Sequence, residues 1–331
     1  SLSLHDALPI SIIVPAYNAD DVIGKCVAAL AAQSVARERY EILVVDDGST
    51  DATGEAARAA GADRVLRIQH GGPSAARNAG IEAARGEIVL FTDADCEPAP
   101  TWLARMTAPF DDSEVMGAKG TYRTRQTSPI ARLVQLEFDI RYERMAELPR
   151  IDFIDTYAAA YRRSLLVEHG GFDTAFPIPS AEDIDLSFRL ARQGHRFVFV
   201  PDAWVWHRHP ATLRAYLARK GRFGYWRSLL YLRFPDKIQG DAHTDPTLKI
   251  QFALNLLLGL VLVATLLWPP LLWGALALLL AFFITTVPFV RWAWPRDRVV
   301  ALLWPGVTFL RVWVQGAGLG IGLLQHGVLQ R

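Results

Sequence analysis

The chain has 331 residues, a formal net charge of +1 and 51% hydrophobic residues, enough for one large α/β domain with something apolar appended. So even a balance of charge argues against a nucleic-acid binder. Its two cysteines, Cys26 and Cys96, share no CxxC or CxxH spacing, which leaves no zinc site or disulfide framework to read and suits a reducing, cytoplasmic setting.

Residues 1–10, SLSLHDALPI, lack the basic start, long apolar run and cleavage site of a secretory signal. They read as a non-native, adapter-like leader. From Ser11 the pattern is strand, turn, helix, strand: Ile12, Ile13 and Val14 are β-branched and end at Pro15, a helix follows over about 20–32, and the next strand is Glu41 to Val45. Short apolar strands such as Ile42 to Val45 and Ile88 to Phe91, separated by Ala-rich helices, predict an α/β fold. Its sheet is mostly parallel, covered on both faces and Rossmann-like in its first half. Ligands collect at the carboxyl ends of such strands, and Tyr17, Asp46, Asp47, Asp93 and Asp95 all fall there.

The strongest local signal is VVDDGSTD at 44–51, a buried strand delivering carboxylates to a turn that opens a helix. Capping by Asp51 or Ser49 explains one acid, hardly three. In GEIVLFTDADC at 86–96, Asp93 and Asp95 stand two residues apart after a buried strand. Acids so close repel each other, and a divalent cation with a preference for hard oxygen ligands, Mg2+ or Mn2+, is the usual remedy. GGPSAARN opens a helix whose free amides favour anions, with Arg77 adding a planar donor; a surface salt bridge is the other reading of Arg77. Farther on, SAEDIDLSFRL at 180–190 puts Glu182, Asp183 and Asp185 at the start of a helix, with Leu186, Leu190 and Ala191 on its packed side. Crowded carboxylates have raised pKa values, suited to taking a proton, although acids at this position also complement the helix dipole.

With PAYN at 15–18, VVDDGSTD at 44–51, GPSAARNAG at 72–80 and FTDAD at 91–95 in this order, the chain resembles the family-2 glycosyltransferases of the GT-A fold. The resemblance implies a nucleotide-diphosphosugar transferase domain over 11–210. Pro15 and Tyr17 would border the donor base, Asp47 would accept a hydrogen bond from it, and Arg77 would help to position the donor. Asp95 would contact Mn2+ or Mg2+, and Asp93 the donor ribose or the metal. Of the Glu182 and Asp183 pair, the second matches the family's catalytic base, with Asp185 and Arg189 as orienting neighbours. Gly170-Gly171-Phe172-Asp173 matches a glycine turn before the acceptor loop. After a strand at Phe197 to Val200 and a short Trp204-Val205-Trp206 strand, His207 corresponds to a histidine that completes the metal shell in several such enzymes; a histidine hydrogen-bonded at a domain edge is the alternative. Arg222 and Trp226 stand where membrane synthases carry a basic and Trp motif touching diphosphate and acceptor, although the QxxRW pattern is absent.

Between Arg208 and Lys237 eight basic residues, interleaved with aromatics, are opposed only by Asp236. That mixture predicts interfacial helices over 211–245. Two uncharged spans, about 250–268 and 271–290, then form a transmembrane hairpin turning at Trp268, Pro269 and Pro270. Lys249 before the hairpin and Arg291, Arg296 and Arg298 after it place both flanks, and the catalytic domain, in the cytoplasm. A third apolar segment, 299–325, carries a small and polar stripe of Thr308, Arg311, Gln315, Gly318, Gly322 and Gln325. An interfacial or re-entrant placement is expected for it, because an Arg in mid-membrane needs a partner; a third span facing the hairpin is the alternative. The expected activity is metal-dependent, inverting sugar transfer from a nucleotide-diphosphate donor to a hydroxyl of a lipid-linked or envelope glycan, with membrane lipids as further partners. A polyprenyl-phosphate acceptor would not need the base. Sugar nucleotidyltransfer would normally show a Gly-rich, basic signature at the first strand, and an inactive membrane scaffold would not need the acids.

Overall fold

The first half alternates strand and helix in a computed structural model that describes residues 10–176, 178, 181–238 and 247–327. Residues 1–9 of the leader expected over 1–10, Ser180 and residues 239–246 lie outside the described residues, whereas Ile10, the last residue of that leader, opens the first strand. The order is β1 (Ile10–Ala16), α1 (Ile23–Ala31), β2 (Tyr40–Asp46), α2 (Thr53–Ala59), β3 (Arg64–Arg67), α3 (Pro73–Ala83) and β4 (Ile88–Phe91). These four strands pair in parallel. Ile12 to Val14 and Ile42 to Val45 are wholly buried, which is why both strands are apolar throughout: each is covered on two faces.

The sheet is then completed by β5 (Glu97–Pro98), β6 (Val115–Arg123), β7 (Ala159–Arg162) and β8 (Arg196–Trp206), with α4 (Trp102–Thr107), α5 (Pro129–Ala146), α6 (Arg163–Glu168) and α7 (Glu182–Arg192) between them. Among the described residues the strand order is β3-β2-β1-β4-β7-β6-β8-β5. β7 runs antiparallel to β4 and β6, and β5 antiparallel to β8, so the sheet is mixed but mostly parallel. β8 is one strand where two short ones were expected. Pro201 is tolerated because the pairing with β6 slips between Phe199 and Trp204, leaving it in the irregular stretch.

Two compact units result: residues to Arg125 with Tyr142–Arg208, and Gln126–Arg141 with His209 onward. The domain expected over 11–210 therefore yields the first two-thirds of α5 to the second unit. That unit adds α8 (Leu213–Arg233), α9 (Thr247–Ala264), α10 (Leu272–Ile284), α11 (Val287–Ala293) and α12 (Arg298–Gly327). The basic and aromatic stretch is one long helix, α8, followed by a 3-10 turn at Pro235–Ile238. Three segments of the described residues are long and apolar enough to cross a membrane: Thr247–Ala264, Pro269–Ala293 and Arg298–Gly327. Leu266, Leu267 and Trp273 are 82%, 91% and 78% exposed, a surface suited to lipid rather than water.

The third segment, for which an interfacial placement was expected, is long and apolar enough to cross a membrane. α12 is continuous, and its small-residue stripe meets α8. A Cβ on Gly224 would stand 2.1 Å from the Gln315 carbonyl, one on Gly318 2.2 Å from the Gly221 carbonyl, and one on Gly322 2.4 Å from the Tyr225 carbonyl. Such approach of two backbones is what small-residue stripes permit. Arg311 also has its partners: it donates to Glu137 Oε1 at 2.7 Å and to Gln251 Oε1 at 3.4 Å. Lys220 Nζ lies 3.0 Å from Glu137 Oε2, and the Tyr216 hydroxyl donates to Glu137 Oε1 at 2.9 Å. Burial would raise the Glu137 carboxyl, but Lys220 and Arg311 outweigh it and hold it at about 2.

Candidate active site

The sheet delivers its chemistry where β1, β2 and β4 end. After β2, Asp46 and Asp47 are both buried. Asp46 Oδ1 accepts the Ser49 amide at 2.8 Å, shaping the turn. Asp51 accepts the amides of Thr53 and Asp20 at 3.0 and 3.3 Å, so for this acid capping is the observed role. Asp47 reaches the loop before α3: its Oδ1 accepts the Gly71 amide at 2.8 Å, and its Oδ2 accepts the Gly72 amide at 2.9 Å and lies 3.0 Å from His70 Nδ1. Tyr17, just past β1, is 48% exposed and stacks on the His70 ring at 4.2 Å. Pro15 sits in β1 opposite Val45.

After β4 come Asp93 and Asp95, whose side chains are 33% and 40% exposed. With Cys96 they form a group whose potential ligand atoms lie within 4.8 Å of one another. Pairing of β5 with the end of β8 brings His207 alongside: its Nε2 is 3.5 Å from Asp95 Oδ2, and its ring stacks on Tyr122 at 4.3 Å. The domain-edge position expected from the sequence is therefore also a position beside the acidic loop. Burial, reinforced by the two aspartates, pushes the Cys26 and Cys96 thiols well up, so both remain protonated.

Arg77 ties this loop to the acidic helix. It is 3% exposed; its NH1 donates to Glu182 Oε1 at 2.8 Å and its NH2 to Asp93 Oδ1 at 3.2 Å. A surface salt bridge is thereby ruled out. Burial alone would lower the guanidinium pKa, but Glu182 and Asp93 raise it, keeping the charge fixed. Arg77 Nε is buried with no hydrogen-bond partner among the described residues. Burial pushes the Asp93 carboxyl up, against the pull of Arg77. Asp183, next in chain to Glu182, is pushed up to about 7, first by burial and then by the Glu182 charge. Three carboxylates, Glu182, Asp93 and Asp183, thus act on one guanidinium.

Residues 11–170 match the family model described as Glycosyl transferase family 2. The chain carries a family-2 glycosyltransferase domain. A pre-mycofactocin glycosyltransferase of Mycobacterium tuberculosis is 30% identical over 238 residues, covering 69% of this chain and 48% of that protein. The chain thus spans about half the length of that relative. Glycosyltransferase AglE of Haloferax volcanii is 28% identical over 222 residues, 64% of this chain and 70% of its own. A mannosyltransferase of Pyrobaculum calidifontis, in complex with GDP-Man and Mn2+, superposes with a TM-score of 0.57 at 24% identity, over 98% of this chain and 88% of that one. The two share the fold.

Pro15, Tyr17, Asp47, Arg77, Asp93, Asp95, Glu182, Asp183 and His207 all belong to the first unit, whereas Arg222 and Trp226 lie on α8 of the second. Arg222 is exposed there, and Trp226 is in ring contact with Tyr225 and His326. Arg189 is spent locally: it donates to Asp185 and to the carbonyls of His169 and Gly171 at 2.9, 3.0 and 2.6 Å. It therefore clamps the glycine turn, whose Phe172 amide and carbonyl also pair with Asn78 at 2.8 Å. Two residues escaped sequence reasoning. Lys119, buried in β6, pairs with Asp155 and lies over Phe153 at 4.7 Å. His70 is the other: it directly precedes the GGPSAARN motif without being part of it, and Lys119 has no motif around it.

Proposed function

We propose that this chain is a metal-dependent, inverting glycosyltransferase that moves a sugar from a nucleotide-diphosphate donor to the hydroxyl of a lipid-linked or envelope glycan. It works at the cytoplasmic face of the membrane. The observation that carries the reading is the double engagement of Arg77: Glu182 is bound to a guanidinium, while Asp183 beside it is raised to about 7 and holds the Ile184 amide with one oxygen. A base must be able both to lose and to take a proton near working pH. Asp183 meets that condition, and Glu182 positions it.

Two carboxylates and an imidazole, Asp93, Asp95 and His207, suit Mn2+ or Mg2+ in a region with an excess of acids. The Mn2+ and GDP-Man of the Pyrobaculum mannosyltransferase favour the same assignment. Such an ion, when bound, offsets the charge of the departing diphosphate. The chain's own residues do the rest. Pro15, Tyr17 and Asp47 border the base. The free Nε–H of Arg77 is available to a donor oxygen, while its other two nitrogens hold Asp93 and Glu182 in register. Asp183 takes the hydroxyl proton as the acceptor oxygen attacks the anomeric carbon, so the configuration inverts. Arg189 keeps the acceptor-side turn in shape, and α8 with its cations lies at the membrane interface.

The test is hydrolysis and transfer with a panel of nucleotide sugars by detergent-purified protein, with Mn2+, Mg2+ or EDTA. We expect metal-dependent release of one nucleoside diphosphate, lost in Asp95→Ala and reduced about 100-fold or more in Asp183→Asn. Binding of no nucleotide sugar even with Mn2+ would remove the assignment.

A further inference from the structure

His70 is held more closely than an exposed loop histidine requires. Its ring stacks on Tyr17 with centroids 4.2 Å apart and planes inclined by 24°. Its Nδ1 lies 3.0 Å from Asp47 Oδ2 and 3.1 Å from the Asp47 carbonyl. Both neighbours of Nδ1 are acceptors, so this nitrogen carries a proton. Gly48 makes the approach possible: its φ is +75°, and a Cβ there would stand 2.9 Å from the His70 amide nitrogen. The DDGS turn and the loop before α3 are therefore built around one another, with His70 at the joint.

We propose that His70 is a positioning residue for the nucleobase of the donor. This rests on the reading of Tyr17 and Asp47 as the base site. Tyr17 as a residue and the His70 side chain are 48% and 56% exposed, so the stacked pair offers an open aromatic surface at the ends of β1 and β2. A tyrosine held by a stacked neighbour has already lost the rotamer freedom that a binding base would otherwise have to remove. The same imidazole acts on Asp47. A carboxylate has about four lone-pair sites; His70 and the amides of Gly71 and Gly72 occupy three, leaving one for an N–H on a base edge. His70 thus prepares both the face on which a base lies and the group that reads its edge. It does not touch the reacting atoms.

The experiment is equilibrium binding to the detergent-solubilised full chain in Mn2+, comparing UDP and GDP with base-free ribose 5-diphosphate. The proteins are wild type, His70→Ala, His70→Phe and His70→Asn. His70→Ala is expected to weaken the preferred nucleoside diphosphate by about fivefold to tenfold and to leave ribose 5-diphosphate unchanged, which also reports an intact fold. His70→Phe restores the ring and should recover part of the loss; His70→Asn, which restores only a donor, should recover less. An equal loss for ribose 5-diphosphate, or full-strength nucleoside diphosphate binding by His70→Ala, overturns the proposal while sparing the base site. If the wild type binds ribose 5-diphosphate as tightly as it binds UDP and GDP, the base site itself is wrong and the proposal falls with it.

Discussion

At the scale of single residues, two adjacent acids divide a task according to their neighbours. Glu182 meets the Arg77 guanidinium, 105 residues away in the chain. Asp183 is left with burial and the charge of Glu182, which lift its carboxyl to about 7. Only the ionised form accepts a proton, so kcat/KM is expected to rise as pH increases through about 7 and then level off. A pH–rate profile checks this, and a flat profile between pH 5 and 8 would exclude Asp183 as the base. The sign for stability is opposite: with the folded pKa above the ordinary aspartate value, its contribution is full below about 4 and is lost as pH rises through about 7. The pair of acids was legible in the sequence as a cluster, but the choice between them came from the family resemblance, because nothing local reveals which acid meets Arg77. His70 was less legible still: a histidine before two glycines has no period or spacing, and only the fold sets it against Tyr17 and Asp47.

At the scale of elements, the seam between α8 and α12 shows what a pattern can and cannot say. The stripe of Gln315, Gly318 and Gly322 was readable as part of a small and polar face of one helix. Its partner was not, because the complementary glycines, Gly221 and Gly224, sit in a stretch dominated by charges and aromatics. The expected consequence is sharp. Gly224→Ala and Gly318→Ala, each driving a Cβ into a backbone carbonyl, should destabilise the protein by about 1–3 kcal/mol. Gly306→Ala and Gly320→Ala, in the same helix α12 but with nothing within 4 Å, should be neutral or gain up to about 1 kcal/mol. Thermal unfolding in detergent distinguishes the two sets; equal effects would mean that the seam is not formed. The strands of the first unit were legible for a simpler reason, since sites buried on both faces leave a continuous apolar run. β8 was misread as two strands because a proline inside a strand ordinarily ends it, and only the slipped register with β6 shows that it need not.

At the scale of the whole molecule, the near-neutral charge conceals a strong division between an acid-lined domain and a basic, apolar C-terminal part. The three long apolar segments lead us to expect that the full chain stays with membranes through an alkaline carbonate wash and is released only by detergent; release by carbonate would remove the spanning reading. Two of these segments were legible from length and lack of charge; the third carries Arg311, which is why an interfacial placement was expected for it. The partner of Arg311 was not legible, since Glu137 lies 174 residues earlier, in a helix that composition alone assigns to the catalytic domain. This gives the chain an unusual grammar of inheritance. The second unit claims 126–141 before the first is finished, so the two are not cassettes laid end to end. A single crossover near residue 208, whether by recombination between relatives or by a chimera designer, would deliver Lys220 and Arg311 without the Glu137 that pairs with both. Two crossovers, carrying 126–141 along, would move the set intact. The transferable module is a pair of segments separated in the gene, and its history is best traced by whether the two travel together.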